Sequence, residues 1–453
     1  MCELASACEG FLEIEFLNLK LRNFSLLFRQ GACEVWNMSS SDDEGDSTIC
    51  ASCCMCWSGT TSSRDERGPL VGKYGNGKAR TPNSRPRLRM SWVASGISMA
   101  IEASDAELTL KGGSALSFRG GRYTVGVEAG RGAHCVVWKC QRVGTRKGEP
   151  RMIALKVHNE DSNALRREAN ALKALRSTRE GADLFPALLG TVRLGSRTGL
   201  ALSLHGPDLY QLQKARDRRP FPSSFVWGIA RQLLGALAAL EQVELVHADI
   251  KPQNILLHEG GEGSTLDGGT RVVLIDLGSC LGREQLSGTT SRVTYVQSRW
   301  YRAPEVILWA PVGYPADAWS VGCVVAEVAL GVPLLPGESE FNQLARATAM
   351  LGAPPQALLR RANRVEPFFV ADATGRHPPV LLTARAVDEP ELVHYLPYAE
   401  LSPLLAHVLS HYAEDERRTL LELLDGLLRW DPDYRWNGPF ASARLWRSTG
   451  AKI

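Results

Sequence analysis

At 453 residues the chain is too long for one small module, and the usual domain size of about 100–200 residues points to two or three units. Hydrophobic residues make up 44% and charged residues 22%, which excludes a wholly disordered, collagen-like or fibrous chain. A net charge of +3 argues against a strongly basic nucleic-acid binder.

Residues 1–30 alternate apolar and polar side chains (Leu12, Ile14, Phe16, then Leu17, Leu19, Leu21), which resembles a strand pair. Glu13, Glu15, Lys20 and Arg22 interrupt that stretch and argue against a secretory signal. No run of about 18 uncharged apolar residues occurs, so no membrane span is expected. Of the 11 cysteines, Cys2, Cys8, Cys33, Cys50, Cys53, Cys54 and Cys56 crowd the start of the chain. The tract CASCCMC could hold zinc, but no second Cys or His pair follows at finger spacing. An unstructured or lipid-modified tract is the preferred reading. Cys135, Cys140, Cys280 and Cys323 are scattered, as in a reducing compartment, nucleus or cytoplasm. Residues 38–90 pass from acidic SSSDDEGDS to basic KARTPNSRPRLR and are expected to stay unfolded, because they bury little apolar surface. Met90 and Met99 are candidate alternative starts.

From Tyr123 to Trp446 the pattern is continuously globular, without internal repeats. YTVGVEAGRGAHCVVWKCQRV reads as two strands around a glycine turn, and RMIALKVHNE as a further strand ending in charge. SNALRREANALKALRS reads as a helix that Asn163 can cap, with Leu165, Leu172 and Leu175 on its apolar side. Beyond residue 208 helices dominate. SFVWGIARQLLGALAALEQV sets Phe225, Ile229, Leu233, Leu237 and Leu240 on one face, and DAWSVGCVVAEVALG is apolar enough for a buried helix. The sum is a small β-rich part followed by a larger helical part, and a cleft between two such parts is a common ligand site.

The chemistry-bearing residues follow in order. Gly130-Arg131-Gly132-Ala133-His134-Cys135-Val136-Val137 is a glycine turn whose backbone can approach phosphates closely. Taken alone it reads better as a plain hairpin turn. Lys156 closes an apolar strand 26 residues after Gly130, where a point charge suits a nucleotide's phosphates. Glu168 stands on the next helix and can pair with it. In His247-Ala248-Asp249-Ile250-Lys251-Pro252-Gln253-Asn254, Asp249 can accept a hydroxyl proton, Lys251 can neutralise a moving phosphoryl group, and Asn254 offers an oxygen to Mg2+. Asp276, at a strand end before Leu277-Gly278, suits a second oxygen ligand. Ala303-Pro304-Glu305 and Asp317 complete the series.

Together, and in this order, these motifs resemble the eukaryotic protein-kinase superfamily over residues 122–446. Tyr295-Val-Gln-Ser-Arg-Trp-Tyr-Arg-Ala-Pro-Glu305 is similar to the dual-specificity tyrosine-regulated kinases of the CMGC group, with some likeness to the pre-mRNA-processing and SR-protein kinases. The resemblance implies an α+β bilobal fold: an extension over 1–120, largely disordered, a small β-rich N-lobe over 121–204 and a larger helical C-lobe over 205–447. It implies that Gly130, Gly132 and Val137 cover ATP, with Val137 and Ala154 above the adenine and Leu256 below. Leu202 would guard the back pocket, and Ser203, Leu204 and His205 would form the hinge. Lys156 and Glu168 would pair, Asp249 would be the catalytic base, and Asn254 and Asp276 would hold Mg2+. Glu305 would bridge Arg435, Asp317 would brace the catalytic loop, and Leu172, His247 and Leu277 would stack as a spine. Tyr295 matches an autophosphorylated loop tyrosine, with Arg299 and Arg302 as forked partners for its phosphate.

Several positions depart from the family pattern. Cys135 occupies the third glycine slot, Ala248 replaces a common arginine, Leu277 replaces Phe, Gln253 replaces Glu, and Ser203 replaces an acidic hinge residue. Residues 365–412 match poorly and read as a lineage-specific insert. The expected function is Ser/Thr phosphorylation of protein substrates by a monomer, without direct nucleic-acid binding. The alternative is a pseudokinase scaffold that binds partners without catalysis.

Overall fold

The computed structural model describes residues 110–449 except 133–134, 145–147, 149, 159–162, 180, 195–196, 259–268, 288–295, 371–379, 382–395, 397 and 399. All of them belong to the unit Pro82–Ile453. The expectations for residues 1–109, and that for Tyr295, lie outside the described residues.

Six strands form one antiparallel sheet: β1 (Ala115–Phe118), β2 (Gly121–Arg131), β3 (Cys135–Val143), β4 (Met152–His158), β5 (Leu188–Leu194) and β6 (Arg197–Ser203), in the order β1-β2-β3-β4-β6-β5. The sheet therefore begins at Ala115, ahead of the lobe start expected at residue 121. The reason is local: Leu116 and Phe118 alternate with polar neighbours and drop into the sheet's own core beside Tyr123 and Val125.

Strand β4 carries the side chain that matters most. Ile153, Leu155 and Val157 enter that same core, while Ala154 joins the core of the larger lobe. With a side-chain period of two, Lys156 follows Ala154 to the inner face. Its register is fixed between Val137 on β3 and Leu200 on β6, and a slip of one residue would turn it to the wrong face.

The helices are α1 (Asn163–Leu175), α2 (Gly181–Leu184), α3 (Leu209–Ala215), α4 (Ser223–Gln242), α5 (Arg283–Ser287), α6 (Pro304–Ile307), α7 (Pro315–Leu330), α8 (Glu340–Leu351), α9 (Gln356–Arg361), α10 (Leu401–Val408), α11 (Glu414–Leu427) and α12 (Gly438–Thr449). Asn163 is the first helical residue of α1 rather than the residue that precedes and caps it, a shift of one position from the expectation. Leu165, Leu172 and Leu175 are buried as their spacing demands.

The core of the larger lobe is built on α4 and α7. All five spaced apolar residues of α4 are buried, and so is every residue of α7 from Ala316 to Leu330. Each buried Val, Leu, Ile or Phe among them contributes about 1.5–3 kcal/mol. Helix α4 is long and apolar enough by composition to cross a membrane, yet 67% of its most apolar window is buried inside the lobe. Of residues 365–412, Phe368, Phe369, Leu401, Leu404 and Leu405 are among those described, and they belong to this core.

Four short strands then set the cleft. β7 (Leu245–Val246) pairs with β10 (Leu281–Gly282), and β8 (Ile255–Leu257) pairs with β9 (Val272–Leu274). These two ribbons bring the loop 247–254 beside the segment 275–278. Ile275 N donates to Asn254 O at 2.9 Å, and a His247 Nε2 contact of 2.9 Å reaches Ile275 O.

Candidate functional site

The inner face of β4 presents Lys156 to two carboxylates. Its Nζ donates to Glu168 Oε2 at 2.6 Å and to Asp276 Oδ1 at 2.7 Å. Lys156 and Glu168 are buried, whereas the Asp276 side chain keeps 40% exposure. Burial alone would lower the Lys156 pKa, but the two carboxylates overturn that and raise it. Burial raises the Glu168 carboxyl, outweighing the nearby ammonium. Burial also acts upward on Asp276, yet Lys156, with help from His247 and Lys251, holds it below the ordinary carboxylate range. Asp276 sits at φ 68 and ψ 65, a left-handed conformation that Asp tolerates better than most residues.

A second anchor joins α1 to the same segment. Arg167 donates from Nε at 3.2 Å and from Nη2 at 3.0 Å to Gly278 O. Nothing in the sequence marks Arg167, which is one more arginine on a charged helix. Leu172, His247 and Leu277, named as a spine, are all buried.

Asp249 lies in the loop after β7. Lys251 Nζ donates to its Oδ2 at 2.8 Å, Ser298 Oγ donates to its Oδ1 at 2.8 Å, and Lys251 Nζ also reaches Ser298 Oγ at 3.0 Å. Asn254 Nδ2 donates to Asp249 O at 2.8 Å and to Oδ2 at 3.1 Å, which leaves Asn254 Oδ1 as its remaining acceptor. Ser298 was not singled out by sequence reasoning. It lay inside the quoted Tyr295-to-Glu305 motif, but only the fold carries it 49 residues across to Asp249.

The loop is held from beneath by Asp317, at the start of α7. Its carboxylate accepts from His247 N at 2.5 Å and from Ala248 N at 3.0 Å. Ala248 takes a positive φ of 64, and its carbonyl accepts from Gln297 N at 2.8 Å. Glu305 and Arg435 form a forked pair, Nη1 to Oε1 at 2.6 Å and Nη2 to Oε2 at 2.9 Å, with both side chains wholly buried.

The remaining predicted residues lie on β3, β4, β6 and β8 or just after β6. Ala154 and Leu202 are adjacent partners on β4 and β6 and both are buried, with Val137 half-buried on β3. Leu256 bridges to Asp208, and Gly206 N donates to Leu257 O at 2.8 Å, so the segment after β6 is tied to β8. In the hinge, Ser203 Oγ accepts from Ala187 N at 2.9 Å and meets His205 Nε2 at 2.8 Å. Leu204, between them, is half-buried. Burial first, and then the neighbouring His258, pushes His205 down to about 4.

The sheet demands glycine at one position of this hairpin but not at Gly130. A Cβ at Gly126 would lie 2.8 Å from Lys139 O, so that glycine is required by the sheet itself. A Cβ at Gly130 would meet nothing within 4 Å, so the fold alone makes no such demand there. Gly132 N donates to Cys135 O at 2.9 Å, closing the turn. The oxygen donors suit Mg2+ as well. Among the described residues no three His, Cys, Asp or Glu side chains gather into a cage. Mg2+ held by one or two protein oxygens together with substrate phosphates needs none.

Arg299 and Arg302 are both engaged. Arg299 Nη1 donates to Glu338 O, and Arg302, 3% exposed, pairs with Glu340 at 3.0 Å.

The family model for the protein kinase domain matches residues 123–446. Dual specificity tyrosine-phosphorylation-regulated kinase 3 of Rattus norvegicus is 34% identical over 230 residues, 50% of this chain and 37% of that protein. The DYRK-family kinase pom1 of Schizosaccharomyces pombe is 35% identical over 237 residues, 52% of this chain and 19% of that protein. Homeodomain-interacting protein kinase 2 of Mesocricetus auratus is 31% identical over 304 residues, 66% of this chain and 25% of that protein. The matched region thus spans well under half the length of these relatives.

Proposed function

The chain belongs to the protein kinase domain family, and on that premise we propose that it transfers the γ-phosphoryl group of ATP to serine and threonine hydroxyls of protein substrates. The observation that carries this reading is the Lys156 ammonium clasped by Glu168 and Asp276, beside an Asp249 whose carboxylate is oriented by Lys251, Asn254 and Ser298.

The residues divide the work. Val137 and Ala154 close over the adenine and Leu256 supports it from below, while the backbone of Ser203, Leu204 and His205 pairs with its edge. Gly130 and Gly132 let the turn approach the phosphates, and Lys156 pairs with them, oriented by Glu168. Asn254 Oδ1 and Asp276 would hold Mg2+, which when bound neutralises charge on the phosphate oxygens. Asp249 accepts the proton of the substrate hydroxyl, and Lys251 offsets charge on the transferred group. Catalysis is then mostly positioning and electrostatics.

Lys251 and Ser298, both bonded to Asp249, support a Ser/Thr acceptor. Autophosphorylation at Tyr295 is the companion proposal, supported by its place in the motif before Gln297-Ser298-Arg299. The four described cysteines are all free, which supports an intracellular, reducing location. A scaffold without catalysis would have no use for the paired Lys156, Glu168 and Asp276 together with the oriented Asp249.

The test is transfer from labelled ATP to a basic protein substrate by wild type and Asp249→Asn, with nucleotide binding measured in parallel. Removal of the base should cost about 10²- to 10⁴-fold in rate with binding kept. Equal transfer by the two proteins would overturn the assignment.

A further inference from the structure

We infer that Glu340 is a positioning residue for the substrate platform: it supplies from within the fold the negative charge that clamps Arg302, and through Arg302 it sets the backbone of residues 296–302. The inference rests on the protein-kinase reading, since this segment leads from Ser298, which touches Asp249, to Glu305.

The platform is built around an unusual residue. Gln297 has φ 65, a left-handed conformation that costs a non-glycine residue on the order of 1 kcal/mol or more. Its side chain is pinned on all sides, with Nε2 donating to Ala316 O at 2.9 Å and Ser320 Oγ at 3.0 Å, and Oε1 accepting from Ala303 N at 2.8 Å. Its carbonyl accepts from Arg302 Nε at 3.1 Å and Nη2 at 2.9 Å, and Val296 O accepts from Nε at 3.0 Å. Arg302 is therefore the hand that holds the turn.

A guanidinium buried to 3% exposure among neutral carbonyls carries a heavy desolvation cost unless a carboxylate compensates it. Glu340 does so, accepting from Arg302 Nη1 at 3.0 Å. Its second oxygen accepts from Arg364 Nη1 at 2.5 Å, and the Arg364 guanidinium lies over the rings of Trp309 at 5.1 Å and Phe368 at 4.9 Å. Arg364 thus anchors Glu340 from the far side.

A blander account exists. Glu340 opens α8, behind the capping residue Ser339, and an acidic side chain is favoured at any helix N-terminus. That account explains an acid at this place. It does not explain why both oxygens are taken by guanidinia from two separate segments, one of them buried.

The experiment compares the full chain carrying Glu340→Gln, which keeps size and removes charge, with Glu340→Asp, which keeps charge and shortens the side chain. Each is also made with Tyr295→Phe. Amide hydrogen exchange of residues 296–302 and 153–157 is read beside KM for a basic protein substrate and KM for ATP. Loss of one charged hydrogen bond predicts about tenfold faster exchange at 296–302 and about tenfold higher KM for protein substrate in Glu340→Gln. Exchange at 153–157 and KM for ATP should not move. Glu340→Asp should recover most of both changes, and Tyr295→Phe alone should resemble wild type. Glu340→Gln performing as well as Glu340→Asp would overturn the inference, as would Tyr295→Phe alone reproducing the defect. Should Glu340→Gln fail to fold, exchange in Glu340→Asp decides: near wild type supports the clamp, tenfold faster rejects it. If wild type phosphorylates no protein, the kinase reading fails, while the exchange arm still reads Glu340.

Discussion

Two buried ion pairs behave in opposite ways. At Glu305–Arg435 every donor of the guanidinium is spent: Nη1 on Glu305 and Pro315 O, Nη2 on Glu305 and Trp430 O, and Nε on Arg429 O. At Lys156 one ammonium is shared by two carboxylates, and one of these, Asp276, stays 40% exposed. The first arrangement is closed and the second is held open. A saturated fork fixes a fold, whereas a shared and partly exposed charge leaves capacity to bind something else. Activity and stability should therefore separate between the two regions.

The largest expected effect is on activity. Asp276→Asn keeps a residue that tolerates the left-handed backbone but removes the negative oxygen, so phosphoryl transfer should fall about 10³-fold. Lys156 retains Glu168, so the thermal midpoint should stay within a few degrees in calorimetry. A collapse of the midpoint would erase the distinction. Arg435→Met should do the reverse. It strands Glu305 in the core and should cost about 3–5 kcal/mol in denaturant unfolding. Under conditions where the variant remains folded, its KM for ATP should be near wild type.

The hinge offers an intermediate, pH-dependent case. Burial and His258 take His205 down to about 4, against an ordinary histidine near 6.5. The folded state thus prefers the neutral ring. Its contribution is fully present above pH 6.5 and is lost as pH falls toward 4, because the unfolded chain binds the proton first. At about 1.4 kcal/mol per pKa unit the loss reaches roughly 3 kcal/mol. Thermal melts at pH 7 and pH 4.5 should show a smaller difference for His205→Asn than for wild type. The smallest expected effect is that of Ser298→Ala, which removes one hydroxyl bond to Asp249 and should lower kcat by about tenfold or less without altering KM for ATP.

Much of the site was legible because its residues sit in short local patterns. Lys156 closes a strand, Asp249, Lys251 and Asn254 share one loop, and Asp276 ends another strand, so spacing and residue type alone exposed them. The resemblance supplied the pairing of Glu305 with Arg435 and the brace at Asp317. Ser298, Arg167 and Glu340 escaped notice for one reason: each acts on a partner far along the chain. The expected phosphate partners are a related lesson. Arg302 looked available in the sequence, yet Glu340, 38 residues away, already engages it.

The amino-acid sequence by itself determined the order of elements, the burial faces of α1, α4 and α7, and the identity of the groups that can do chemistry, because periodicity and motif spacing act over a few residues. Only the tertiary structure decided which charge meets which. Lys156 is joined to Asp276 across 120 positions, and Arg435 to Glu305 across 130. Such pairings depend on how separately folded segments dock. That docking is set by core packing, not by anything the two side chains reveal in the sequence alone.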